Sequence, residues 1–164
     1  MSLTVDGLIA IEEIKRLKYK YVRCLDQKRW DEIAECFVPD ATASYGGGAW
    51  SFEGRDAILE FLRSSMGSQQ FLSAHRVGQP EIDITGPDTA KGTWALMDLV
   101  LQLEFGVDIR GAAFYEDTYV KVDGEWKIKS TGYKRTYEEL EPRATGITLT
   151  AHLYDTEGRS TLNG

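Results

Sequence analysis

Three observations in the sequence predict one α+β domain whose N-terminal helices close the concave side of a curved, mainly antiparallel sheet. Helical periodicity is confined to the chain before Gly67, and long alternating runs separated by turn signals follow it. One of those runs is apolar on both faces, so it needs cover on both. At 164 residues the chain can bury one substantial core and is short for two domains.

The elements follow in order. From Asp6 to Gln27 the residues Ala10, Ile14, Leu17, Tyr21, Cys24 and Leu25 recur at three- and four-residue spacing, the stripe of a long amphipathic helix. Asp26 falls about 140° round from Tyr21 on an ideal helix, so the two share a pocket only if the helix ends or bends near Leu25. A second helix, Trp30 to Phe37, turns Trp30, Ile33, Ala34 and Phe37 inward and stops at Pro39. Residues 41–45 alternate as a short strand, and Gly46-Gly47-Gly48 turns it into Trp50-Ser51-Phe52. A third helix, about Arg55 to Ser65, carries Ile58, Leu59 and Leu62 as its stripe and Asp56 in its electropositive first turn.

Strands are then expected at about 71–85, 89–105, 110–122 and 125–136. Their turns are Gly86-Pro87-Asp88, Phe105-Gly106-Val107-Asp108 and Asp123-Gly124, the last a type I′ hairpin signature. Residues 1–140 make up the domain, and 141–164 form a C-terminal extension that belongs to it or covers a dimer partner or the pocket. Ile147, Leu149, Ala151 and Leu153 alternate in that extension, which predicts an extended segment with His152 on the opposite, exposed parity.

The formal charge of −7 excludes the clustered cationic surface that phosphate neutralisation requires, so no nucleic-acid partner is expected and a small uncharged or cationic molecule fits better. No apolar run is long enough to span a membrane, and the start Met1-Ser2-Leu3-Thr4 lacks the basic and apolar regions of a secretion signal. Cys24 and Cys36 lie on helical stripes, as reduced core residues of a cytoplasmic protein would. With two histidines, no HxH, HExxH or cysteine cluster, and neither a GxGxxG nor a GxxxxGK[ST] loop, no metal and no nucleotide cofactor are expected.

The doubly apolar run is Thr93 to Phe105, with Trp94, Leu96 and Val100 on one side and Ala95, Met97, Leu99, Leu101 and Leu103 on the other. Helices cover one side, and a second copy of the chain is the simplest cover for the other, which predicts a homodimer through the outer sheet face. On the inner side Asp98 interrupts the apolar series. It is either a used, pocket-facing carboxylate or a surface carboxylate on a bulge. His75, entering the strand from Phe71, is either an acid–base group or a core histidine. Asp26 is either its partner or a cap for the helix at Trp30, and Tyr21 and Tyr45 are either pocket donors or ordinary core-edge tyrosines.

The order of elements, with the runs Leu25-Asp26-Gln27-Lys28-Arg29-Trp30-Asp31, Phe37 to Tyr45, Ser73-Ala74-His75 and Tyr115 to Ile128, resembles the SnoaL-like branch of the NTF2-like superfamily over about residues 6–136. The resemblance implies an NTF2-like (cystatin-like) cone around a hydrophobic pocket. Within that branch the chain is most similar to the cofactor-independent eliminating enzymes: scytalone dehydratase, bile-acid 7α-dehydratase and hexachlorocyclohexane dehydrochlorinase. In these an Asp at the end of the first long helix pairs with a His on a central strand, positions held by Asp26 and His75. Tyr21 and Asp98 match the bile-acid dehydratase spacings, and Tyr45 matches a pocket Tyr of scytalone dehydratase. The second pocket His and the Asn of scytalone dehydratase are absent, with Val100 and Tyr115 near those positions, and no Arg lies two residues before Asp98, unlike limonene epoxide hydrolase.

The resemblance implies a dehydratase-type β-elimination on a small apolar cyclic hydroxy or keto compound, with His75, Asp26, Tyr21 and Asp98 catalytic and Tyr45, Trp94, Val100 and Tyr115 against the substrate. An isomerase or polyketide cyclase using the same pocket, a non-catalytic ligand-binding protein, and the small subunit of an aromatic-ring hydroxylase are the alternatives.

Overall fold

A computed structural model describes residues 4–163. Helix α1 spans Val5–Gln27; the Thr4 hydroxyl accepts the Gly7 N–H at its start, and Lys28, in the left-handed region at φ 54°, closes its end through bonds to the Cys24 and Leu25 carbonyls. It is followed by α2 (Trp30–Ala34), β1 (Phe37–Tyr45), β2 (Trp50–Glu53), α3 (Arg55–Met66), β3 (Phe71–Gly86), β4 (Thr89–Gln102), β5 (Val107–Val122) and β6 (Glu125–Pro142). The six strands form one curved, open sheet in the order β2-β1-β6-β5-β4-β3. Only β1 and β6 run parallel.

The expected α+β architecture is present, with α1 and α3 on the concave face. Ile14, Tyr21, Cys24, Leu25, Ile33, Ile58, Leu62, Trp94, Leu96 and Ile128 meet there as the core. Both cysteines are free and buried. Among the described residues no helix is long and apolar enough to cross a membrane.

Three local expectations need correction. Helix α2 stops at Ala34, and Phe37, expected in it, opens β1 instead. Pro39 therefore lies within a strand, at the irregularity between Phe37 and Thr42 where the register against β6 shifts. A residue without an N–H is tolerated there because no ladder bond is required of it. Strand β6 runs to Pro142, beyond residue 136, since its far end pairs with β5 up to Val107.

The third concerns the C-terminal arm. Ile147, Leu149 and Leu153 are exposed, whereas His152 is only 8% exposed. The period of two fails because the arm turns rather than extends: the N–H groups of Asp155, Thr156 and Gly158 all return to the His152 carbonyl. That turn rotates the histidine inward.

Candidate active site

The end of α1 sets the first half of the site. Because the helix terminates at Lys28, Asp26 sits in its last turn and faces β3, which packs beside it. One Asp26 oxygen, Oδ1, accepts the Ser73 hydroxyl at 2.8 Å and lies 2.6 Å from His75 Nδ1; the other, Oδ2, accepts the His75 backbone N–H at 2.9 Å. A carboxylate requires a donor, so Nδ1 carries a hydrogen, and in the neutral ring Nε2 holds the free lone pair. The imidazole is 10% exposed and its carboxylate partner 24%.

Strand pairing sets the second half. His75 stands directly opposite Asp98, and Ser73 opposite Val100, so all four share the concave face. Both oxygens of Asp98 are held by Arg135, at 2.5 Å from Nη1 and 2.9 Å from Nη2. Burial works against the Arg135 charge, and the bonds to Asp98 more than offset it, holding the guanidinium above its ordinary range. The guanidinium lies over the Tyr133 ring, 5.1 Å from its centre.

Beyond Tyr133 lies a cluster of aromatic rings buried in the core. Tyr133 meets Tyr115 and Tyr45, and Tyr21 meets Tyr115 and Phe37 edge-on. The Tyr21 and Tyr45 hydroxyls are 3.1 Å apart. Burial raises the pKa of both, so both stay protonated. Of their two hydrogens one joins the pair and the other is free to donate onward. Tyr21 makes no bond to Asp26: the site has two polar centres, the Asp26–His75 pair and the tyrosine pair.

Trp94 lies further along β4, fully buried, with its indole N–H bonded to Tyr119 Oη at 2.9 Å. It belongs to a third, structural centre. Asp117 accepts Tyr119 Oη and Thr131 Oγ1, and Lys18 Nζ lies 2.7 Å from it in a fully buried ion pair. Burial lowers the Lys18 pKa, opposed by the adjacent carboxylate, and the ammonium rests 3.5 Å from the centre of the Tyr115 ring. A groove of about 910 Å³ runs over Thr42, Ser44, Phe114 and Ser130 and reaches Tyr133 and Arg135, but it contains none of the site residues expected from sequence. The site is defined by the converging side chains around His75 and Asp98, and the groove meets it only at Tyr133 and Arg135.

Ser73, Arg135, Lys18 and Asp117 were not among the residues expected from sequence. A signal existed for two of them: Lys18 falls on the Ile14–Tyr21 stripe, and Asp117 on the inward parity of Tyr115 and Tyr119. Both are charges in apolar series, as Asp98 is.

Comparison with known proteins fits this architecture. The chain is 25% identical to a candidate scytalone dehydratase from Novosphingobium aromaticivorans, whose structure superposes with a TM-score of 0.78 over 90% of this chain and 100% of that one. The structure of hexachlorocyclohexane dehydrochlorinase LinA-type3 from Novosphingobium barchaimii shares the fold, with a TM-score of 0.75 and 20% identity over 88% of this chain and 97% of that one. A candidate cyclase, FGR4 of Gibberella zeae, is 26% identical over 139 residues, 77% of this chain and 91% of that protein. The SnoaL-like domain profile matches residues 6–132, and the chain belongs to the SnoaL-like domain family.

Proposed function

We propose that the protein is a cofactor-independent lyase that removes water from a small, apolar cyclic hydroxy or keto compound. The observation that carries the reading is the 2.6 Å contact between His75 Nδ1 and an Asp26 carboxylate that is itself fixed by Ser73 and the His75 backbone. It leaves Nε2 as an oriented proton acceptor at the pocket surface, with a carboxylate facing the charge the ring acquires.

In this mechanism Nε2 takes a proton from the carbon α to a carbonyl, and the electron pair moves onto the carbonyl oxygen. The free hydrogen of the Tyr21–Tyr45 pair is a donor for that oxygen in a dry environment. The enolate then re-forms the carbonyl and expels the β-hydroxyl, which takes the proton back from Nε2 and leaves as water. Asp98 stands among the residues expected to be catalytic. Its two oxygens are engaged by Arg135, and the pair supports a positioning role beside His75 instead.

The test is incubation of a panel of cyclic β-hydroxy ketones with the protein and with His75→Ala and Asp26→Asn, reading loss of water by mass spectrometry. The variants should lower kcat by about 10²–10⁴-fold with the fold intact. Full activity in both would sink the dyad mechanism. The similarity to a candidate cyclase supports a second reading, ring closure or isomerisation with the same base; its product keeps the substrate's oxygen.

The convex face supports a second proposal, a homodimer. Met97, Leu99, Phe114 and Tyr137 are all between 44% and 61% exposed there.

A further inference from the structure

The C-terminal arm carries polar groups that the mechanism above does not use. It leaves β6 at Arg143, which is fixed by two bonds to Asp108, and folds back to the end of α1. There Lys28 donates to the Phe71 carbonyl at 2.7 Å, and its ammonium lies 5.4 Å from the Phe71 ring and 5.3 Å from the Tyr154 ring. Tyr154 is thereby held beside the residues that flank Asp26 and Ser73.

Among the described residues the Tyr154 hydroxyl and His152 Nε2 of the arm are buried without a partner. His152 Nδ1 accepts the Tyr154 backbone N–H at 3.1 Å, which puts the ring hydrogen on Nε2. The ring is packed edge-on to Tyr154, 6.1 Å between centres. Burial raises the Tyr154 pKa and the Asp26 charge adds to it, so the hydroxyl stays protonated. An O–H and an N–H kept from water cost free energy until something accepts from them.

We infer that His152 Nε2–H and the Tyr154 O–H form a second donor pair over the dyad, and that they bind an oxygen of the substrate remote from its reacting carbon. The ligand class is accordingly an apolar cyclic compound carrying two oxygens, one for the tyrosine pair and one for the arm. This rests on the elimination site described above, and it adds a specificity determinant that the family domain, ending at residue 132, does not contain.

The experiment uses two probes, a naphthol and a dihydroxynaphthalene, titrated calorimetrically into the full chain. The second oxygen should tighten binding about tenfold in the unaltered protein, the worth of one satisfied buried donor. His152→Ala and Tyr154→Phe should erase that advantage while leaving naphthol affinity unchanged. A merely structural arm would weaken both probes together or neither. The chain has two histidines, so in His75→Ala the one remaining imidazole is His152, and its side-chain nitrogen resonance should still shift on adding the dihydroxynaphthalene. That shift tests the arm even if the dyad has no catalytic role. No advantage of the second oxygen in the unaltered protein, or an advantage that survives in both arm variants, overturns the inference.

Discussion

Arg135 on β6 reaches Asp98 on β4 across the whole width of β5, and it does so because Gly111 stands between them. Asp98 is paired in register with Gly111, and a Cβ added there would lie 3.0 Å from Arg135 Nη1 and 2.7 Å from the Tyr137 carbonyl. A glycine in the middle of a strand weakens it by losing a side chain to pack. Here it leaves room for the guanidinium to cross the sheet.

Gly111→Ala is therefore expected to push Arg135 off Asp98 and to cost about 1–3 kcal/mol in overpacking. Asp98→Asn leaves the guanidinium with a neutral partner and should cost about as much as breaking a largely buried pair, roughly 3 kcal/mol. Chemical denaturation of the two variants and their double measures the coupling. If the double is as destabilised as the sum of the singles, the two changes do not act through one contact.

Ser73 offers a finer test of the dyad. Its hydroxyl shares Asp26 Oδ1 with the imidazole, so Ser73→Ala removes one restraint on the carboxylate and keeps the other two. Activity should fall by about tenfold, the worth of one hydrogen bond to a charged group, and by less than in Asp26→Asn. A kcat measured side by side for the two variants checks the order.

Much of this was legible in residue order. The turn at Asp123-Gly124 takes positive φ at both positions, as the hairpin signature requires, and Asp98 falls on the buried parity of Trp94, Leu96 and Val100 that period two predicts. What the sequence hides is register between distant strands. The shift between Ala112 and Ala113 on β5 decides that Arg135, and not a neighbour, stands across from Ala113 and can reach Asp98. His152 was hidden for a different reason. Apolar alternation from Ile147 to Leu153 mimics a strand, and only the turn bonds to its carbonyl reverse which side is buried.

The Lys18–Asp117 pair is fully buried and ties α1 to the sheet. Removing one partner strands the other charge, so Lys18→Met and Asp117→Leu are each expected to cost about 3–5 kcal/mol. The double variant should recover a good part of the loss and still leave Tyr119 and Thr131 short of an acceptor. A double-mutant cycle in denaturant decides it; strict additivity would mean that the pair is held by its surroundings and not by its own attraction.

Alkaline stability follows from the buried tyrosines. Burial raises the pKa of Tyr21, Tyr45, Tyr115 and Tyr119 above the ordinary 10.0. Above that pH the unfolded chain gives up protons that the folded chain keeps, so this contribution to stability is whole below pH 10.0 and drains away as pH rises through the folded values. Lys18, with its pKa lowered, acts the other way only in the window below its ordinary 10.5. Tyrosinate absorbance is expected to appear together with loss of near-ultraviolet circular dichroism, in one transition. Titration of the buried tyrosines in a protein that keeps its tertiary signal would contradict the packing.

The convex face makes the last prediction. Met97 on β4 stands opposite Ala112 on β5 and diagonal to Phe114, Leu99 stands opposite Arg110, and Ala112 carries the apolar surface on to Tyr137 on β6. Monomers seldom expose contiguous apolar area of this kind, whereas a second copy covering it would bury these side chains at roughly 25 cal/mol per Å². Glutamate at the centre of such an interface faces its own symmetry mate, adding like-charge repulsion to lost burial. Met97→Glu with Phe114→Glu should therefore convert a dimer to a monomer in sedimentation. Both side chains point away from His75 across the sheet, so the monomer should keep most of its elimination activity. A wild-type protein that sediments as a monomer at high concentration would leave this face without the proposed partner.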